Sequence, residues 1–433
     1  MMENRFQLQV LNVKKSILEI PSKELVSGII EYSLLIYIFT QPFVHHTATI
    51  QAVSLATALL LWLIKIFCFG EYGSNRNRAS IFLIIYTFVV ILSILFGVER
   101  LISIKAFKSD IAKQLILYAI VINETKTIKQ IKSVLYVMVF SISLLMLASL
   151  YEYITLAGNY GGFYQYIYKT NKGTIISNFA ELSIFYYPVS VLSILVEKRV
   201  SLRITVAVSI LFQVLFISLS GSRTALINVV FVSILFPLVL KRYRTVLGFV
   251  LGFLALLYFV DAFYPEMNYK AKYAEVFSLS TYLNSNAVSD RLPTWKASFK
   301  MWKERPFLGY GYGWKKFTRV CQAKGYENLL TNPHNLVLSL LFESGVFGLA
   351  SFVLFIVVVF TSLFNNYKMA VSDDHRMVLM GVMILLASTT ISSLTMSPWS
   401  GPHGKLMMVM IGLGLAKLKG PVFTNLVEQP GIP

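Results

Sequence analysis

The chain of 433 residues contains two cysteines, Cys68 and Cys321. Cys68 ends an apolar stretch and Cys321 lies in a polar one, on opposite sides of any membrane the chain crosses, so no disulfide framework is implied. No CxxC or paired His/Cys spacing of the kind that holds structural zinc occurs. Charge is scarce as well: Asp, Glu, Lys and Arg make up 14% of the residues, which argues against an ordinary soluble domain. Acids are rarest, with 21 Asp and Glu against 39 Lys and Arg. No glycine-rich nucleotide loop follows a strand pattern, because Gly309, Gly311 and Gly313 have the wrong spacing for one. The first ~25 residues lack the short apolar core and small-residue cleavage site of a secretory signal. Met1 to Lys23 reads instead as a polar, partly amphipathic tail lying on a membrane. No internal repeat is present.

What fills the chain is apolar surface. Hydrophobic residues are 56% of the total and the mean hydropathy is +0.66. Several uninterrupted stretches, Ala79 to Gly97 and Ile131 to Ile154 among them, reach the roughly 20 residues a bilayer crossing needs. The hydropathy pattern gives an all-α, polytopic membrane protein with about 12 spans, near 27–44, 49–69, 79–97, 110–123, 131–155, 176–196, 204–220, 224–240, 245–263, 335–364, 376–395 and 404–417. The implied organisation is a tail over 1–26, spans over 27–263, a large outer loop over 264–334, spans over 335–417 and a tail over 418–433.

Loop charges agree with this alternation. Arg76 and Arg78, then Lys126, Lys129 and Lys132, then Lys198, Arg199 and Arg203, then Lys241, Arg242 and Arg244 fall on one side only if the spans alternate as written. The positive-inside tendency places that side, and both termini, in the cytoplasm. The opposite side carries the loop from Tyr264 to Pro333, far longer than a helix connection needs and rich in Lys and Arg. A long loop translocates regardless of charge, so topology permits this basicity without explaining it. An anionic ligand on the outer face explains it; attraction to anionic headgroups is the alternative.

Four places carry candidate chemistry. In SDRLPTWKASFKMWKE, Asp290 or Ser289 caps a helix with Pro293 in its first turn. Leu292, Trp295, Phe299 and Trp302 recur on one face and Lys296, Lys300 and Lys303 on another, the pattern of an amphipathic interfacial helix. Arg291 stands at its start, where the helix dipole adds positive potential and a diphosphate is gripped bidentately. The plain alternative is pairing with Asp290 or a headgroup. The strip GYGYGW alternates glycine with Tyr310, Tyr312 and Trp314, a flexible platform on which sugars stack, as membrane-interface belts also do. His334, in NPHN at the start of a long apolar helix, is kept neutral there and is placed to accept a proton from a hydroxyl; a capping histidine at a membrane boundary is the alternative. Arg223, in GSRTA between two apolar runs, is a lone cation at membrane depth and so a functional candidate, with a snorkelling arginine the alternative. Lys405, after SPWSGPHG, reaches the outer surface and is a weaker candidate to meet phosphate. His45, His46 and His403 face the same side as His334, but no carboxylate accompanies them at ligand spacing, so no metal is expected. His375 lies in the cytoplasmic segment VSDDHR.

GSRTA at 221–225, SDRLPTWKASFKMWKERPFLGYGYG at 289–313 and PHNLVLSLLFESGVFGL at 333–349, in that order, resemble the O-antigen ligase and O-antigen polymerase superfamily of bacterial envelope enzymes. The resemblance covers the C-terminal half, the N-terminal half agreeing through hydropathy alone. It implies a GT-C-like membrane glycosyltransferase of the bacterial inner membrane with its site on the periplasmic face. The implied donor is a glycan on undecaprenyl diphosphate and the implied acceptor a lipid A-core sugar, for a ligase, or a second repeat unit, for a polymerase. Ligase is favoured by the well-formed motifs and by a basic outer surface suited to a phosphate-rich acceptor. The family's functional arginines and histidine fall on Arg223, Arg291 and His334, with Tyr312 and Lys405 as further substrate contacts. No metal, nucleotide or other cofactor is implied, and membrane lipids rather than nucleic acid surround the chain. A lipid-linked glycan flippase is the rival class. It predicts titratable residues near the midplane of several spans and internal symmetry, and the sequence has few of the first and none of the second.

Overall fold

The computed structural model describes residues 22–71, 77–156, 179–220, 222–241, 291–326, 329–396 and 401–418, with single positions 248, 252, 255, 258 and 399. The N-terminal tail to 21, most of the expected span 245–263 and the outer loop up to 290 lie outside the described residues.

Among the described residues the regular structure is helical: α1 (Lys23–Thr40), α2 (Val44–Phe69), α3 (Arg78–Phe96), α4 (Arg100–Ser109), α5 (Ile111–Glu124), α6 (Ile128–Leu156), α7 (Phe179–Val196), α8 (Val200–Ser220), α9 (Arg223–Val239), α10 (Arg291–Glu304), α11 (Trp314–Ala323), α12 (Leu336–Met369), α13 (Asp373–Ser392) and α14 (Gly401–Leu415). Local chemistry sets many of the starts. Ser22, Asn77, Ser222, Asn335 and Ser372 each place a side-chain oxygen on a free N–H of the first turn of α1, α3, α9, α12 and α13, which would otherwise go unpaired.

Seven described helices are long and apolar enough to cross a membrane: Lys23–Phe43, His46–Phe69, Arg78–Phe96, Ile128–Ala148, Val200–Ser218, Leu336–Met369 and Asp373–Ser392. The other expected spans among the described residues are shorter than these seven. Leu182–Val196 and Thr224–Val239 are apolar but under eighteen residues, and α5 and α14 have 14 and 15. Arg100–Ser109 forms a separate helix, and the chain turns at Asp110 before entering α5, close to the expected bounds 110–123.

Two of the basic connections meet at one end. Lys132 and Lys198 both reach Asp374, at 2.8 and 3.5 Å, and Arg199 pairs with Glu197 at 3.3 Å. The other end of α13, 20 residues away and so about 30 Å along a helix, is where the Leu336 N–H meets the Ser393 carbonyl at 2.8 Å.

A small second core sits at the His334 end. Ala297 and Met301 of α10, Phe317, Val320 and Cys321 of α11, and Tyr310 and Phe342 form it, apart from the main bundle core. The pattern of Leu292, Trp295, Phe299 and Trp302 on one face of α10 does not mark its packing face. In the fold, α10 buries Thr294, Ala297, Ser298 and Met301 against the protein, while Leu292 and Phe299 stay 42% and 44% exposed.

Candidate active site

The segment between the two halves of the site is pinned rather than flexible, contrary to the expectation for GYGYGW. The Tyr310 and Gly311 N–H groups donate to the Phe342 and Glu343 carbonyls at 2.8 and 2.9 Å, and the Val98 N–H donates to the Tyr310 carbonyl at 2.9 Å. Gly309 and Gly345 make this close approach possible. Both have positive φ, and a Cβ on either would run into the facing backbone, Phe342 and Glu343 for Gly309 and Phe307 for Gly345. Gly345 also breaks α12. An unbroken helix of 34 residues would be about 51 Å long, well beyond the hydrocarbon core of roughly 30 Å. The break divides it into Leu336–Ser344 and a longer second part.

His334 sits at the start of that first part. Its backbone is left-handed, with φ of 47°, and its N–H donates to Asn332 Oδ1 at 2.8 Å. Asn335 caps α12 and donates through Nδ2 to the Leu394 carbonyl at 3.0 Å. The residues around His334 are thereby fixed to the end of α13. The imidazole is half-buried, and burial, followed by the nearby Arg291 guanidinium, holds its pKa below the usual 6.5. It is therefore a neutral base at pH 7.

Arg291 is the first residue of α10. Two bonds hold that helix against the His334 segment: Trp295 Nε1 donates to the Pro333 carbonyl at 2.8 Å, and the Leu330 N–H donates to Thr294 Oγ1 at 3.2 Å. Arg223 is the first residue of α9; its side chain lies outside the described ones. Its neighbour Thr224 bonds the Thr395 hydroxyl at 2.9 Å, one residue beyond the carbonyl that anchors Asn335. The GSRTA and NPHN motifs thus meet at the C-terminal turn of α13, and α10 joins them through the segment before His334.

The other candidates fall as follows. Tyr312 is 8% exposed and lines a cavity of about 260 Å³ that His334 also borders. Tyr310 is core, stacked on Phe342 with ring centroids 5.0 Å apart. Lys405 is buried in α14, within electrostatic reach of Asp110, and is not among the cavity's lining residues. His403 opens α14 and His46 is exposed in α2, while the His45 side chain lies outside the described ones. Lys316, expected on the basic outer surface, is fully buried. Its amine bonds the Ser103 hydroxyl and, at 3.1 Å, the Tyr310 carbonyl.

Asp110, Gln114, Glu343 and Trp399, which the sequence reading passed over, share the cavity with His334 and Tyr312. Glu343 had a signal: it is a lone acid in the apolar run LSLLFESGVFGL, and acids at such depth are functional candidates by default. Asp110 was hidden by being read as the first residue of a span.

Residues 207–353 match the family model described as O-antigen ligase, which supports the resemblance to that superfamily and a function of the ligase or polymerase class. This stretch includes Arg223, Arg291 and His334. No curated protein matches the chain.

Proposed function

We propose that the chain is a membrane glycosyltransferase that moves a glycan from undecaprenyl diphosphate to a sugar hydroxyl on the periplasmic face of the bacterial inner membrane, with a lipid A-core sugar as acceptor. The observation that carries the reading is the meeting of a neutral, half-buried His334 with the N-terminal ends of α9 and α10, which bear Arg223 and Arg291. His334 accepts the proton of the acceptor hydroxyl. That oxygen forms its bond to the anomeric carbon as the bond from that carbon to the diphosphate oxygen breaks, with inversion. The diphosphate leaves with the bonding electrons, and Arg223 and Arg291 stabilise its charge.

The test is transfer by purified protein from undecaprenyl-diphosphate glycan, with lipid A-core or a second lipid-linked repeat unit offered as acceptor. Transfer to lipid A-core alone supports the ligase; joining of repeat units makes the chain a polymerase. His334→Ala should lower turnover by about 100- to 10,000-fold, the usual range for a general base. Arg291→Lys should restore little, because an ammonium cannot copy the guanidinium fork. Normal turnover in His334→Ala would remove the histidine from the mechanism.

A further inference from the structure

The cavity beside His334 carries a cluster of polar side chains in a wall that is otherwise apolar and aromatic. Asp110 and Gln114 enter it from the α4–α5 turn and α5, Glu343 from α12, Tyr312 from the pinned strip and Trp399 from the turn before α14. Trp399 is 8% exposed, and its Nε1 finds no hydrogen-bond partner among the described residues, although a buried indole N–H ordinarily has one. Its backbone carbonyl is held by Gln114 Nε2 at 3.2 Å, so the ring is fixed while its donor is unused. The Glu343 carboxyl group accepts one N–H, from Gly313, which leaves most of its hydrogen-bonding capacity open.

The chemistry of the wall selects among ligands. Among the described residues no lysine or arginine lines the cavity, so nothing there grips a diphosphate. Two carboxyl groups, an amide and an indole N–H stand among apolar residues such as Ile111, Leu340 and Met408, and a prenyl chain would leave those polar groups without partners. Carboxyl and amide groups beside flat aromatic rings suit a neutral, many-hydroxyl ligand. Arg291 reaches His334 but is not among the residues that border the cavity. In-line displacement requires the incoming hydroxyl and the leaving diphosphate on opposite sides of the reacting carbon, so the cavity lies on the hydroxyl's side.

We infer that this cavity is the subsite for the acceptor sugar, with Asp110 and Glu343 accepting hydrogen bonds from its hydroxyls, Trp399 Nε1 donating to one and Tyr312 lying against the ring. The inference rests on the glycosyltransferase reading above.

Two measurements test it. The first needs no turnover. Ser339, which lines the cavity, is changed to cysteine in a Cys68→Ser background, and its reaction with a maleimide is timed. Delipidated lipid A-core oligosaccharide, or free repeat-unit oligosaccharide, should slow labelling at least fivefold, while inorganic pyrophosphate should not. Protection by undecaprenyl-diphosphate monosaccharide but by neither free oligosaccharide would give the cavity to the donor sugar and overturn the inference, as would no protection by any glycan. The second is kinetic. Asp110→Asn and Glu343→Gln should each raise the acceptor KM by about tenfold to a hundredfold, the range for a lost hydrogen bond to a charged or strongly polar partner, with the donor KM nearly unmoved. An unchanged acceptor KM in both, while His334→Ala still abolishes transfer, would sink the cavity assignment and leave the glycosyltransferase reading standing. Protection of Ser339→Cys by oligosaccharide, with normal transfer in His334→Ala, would do the reverse.

Discussion

The Trp295 indole donates to the carbonyl of Pro333 across 2.8 Å, so the helix that begins at Arg291 is bolted to the residue before His334. Arg291 and His334 are therefore held in register by this bond together with that from the Leu330 N–H to Thr294 Oγ1. Trp295→Phe keeps the ring and removes the donor, leaving a buried carbonyl unpaired at a cost of about 1–3 kcal/mol. Loosened placement of Arg291 against His334 should lower kcat by about tenfold or more with little change in substrate KM. Steady-state kinetics with saturating donor and acceptor check this; a KM effect alone would mean that the bond serves binding rather than alignment.

The His334 environment sets a pH profile. Burial first, and then Arg291, lowers its pKa from 6.5. A base is active in its neutral form, so the acid limb of kcat/KM should fall below pH 6.5. Arg291→Gln removes the neighbouring positive charge and should move that limb upward toward the ordinary value, in addition to slowing the reaction. The shift of the limb reads the electrostatic contact independently of the rate loss. A limb that stays in place would assign it to another group.

Periodicity made the helices legible because each long apolar run had to be satisfied by its own backbone bonds in lipid. The same logic placed Arg291 and His334 at helix starts, where Pro293 and Asn335 mark the turn chemistry. It failed where tertiary contacts rule. Nothing in GYGYGW announces that it forms backbone bonds to Phe342 and Glu343, since the partner strip is a helix end some thirty residues later. Nor does the spacing of α10 reveal that Thr294, Ala297, Ser298 and Met301 are its packing face, because small and polar residues carry little weight in a hydropathy pattern. Asp110 and Glu343 each looked like an isolated charge, and only the fold brings them to one cavity.

Met301 is fully buried between α10 and the small outer core. Met301→Ala should destabilise that unit by about 2–5 kcal/mol while leaving the long apolar helices in place. Limited proteolysis is the suitable readout: cleavage should accelerate within 291–326, with the bundle fragments surviving. Equal loss of protection throughout would show that the outer core and the bundle unfold together.

Lys316 gives a second pH-dependent signature. It is buried with its amine on Ser103 and the Tyr310 carbonyl, and burial lowers its pKa from 10.5 to about 8. Between those values the unfolded chain binds the proton and the folded one does not, so stability rises as pH climbs from about 8 to 10.5 and is flat below. Thermal unfolding in detergent should show this rise, and Lys316→Met should remove it. A rise that persists in the variant would assign it to another group.

The orientation of the whole site rests on the cluster of basic connections at the end opposite His334. Lys132 and Lys198 meet Asp374 there, and the positive-inside tendency makes that end cytoplasmic. Cysteines at Lys129 and Lys198, in a Cys68→Ser background, should then resist a membrane-impermeant thiol reagent in intact cells. At the other end, Lys316 is buried and makes a poor reporter, but its neighbour Lys315 is exposed, so Lys315→Cys should react under the same conditions. Permeabilising the cells should expose all three. Labelling of Lys129→Cys and Lys198→Cys in intact cells, with Lys315→Cys protected, would turn the protein over in the membrane. It would also move His334 to a compartment where periplasmic acceptor sugars are absent.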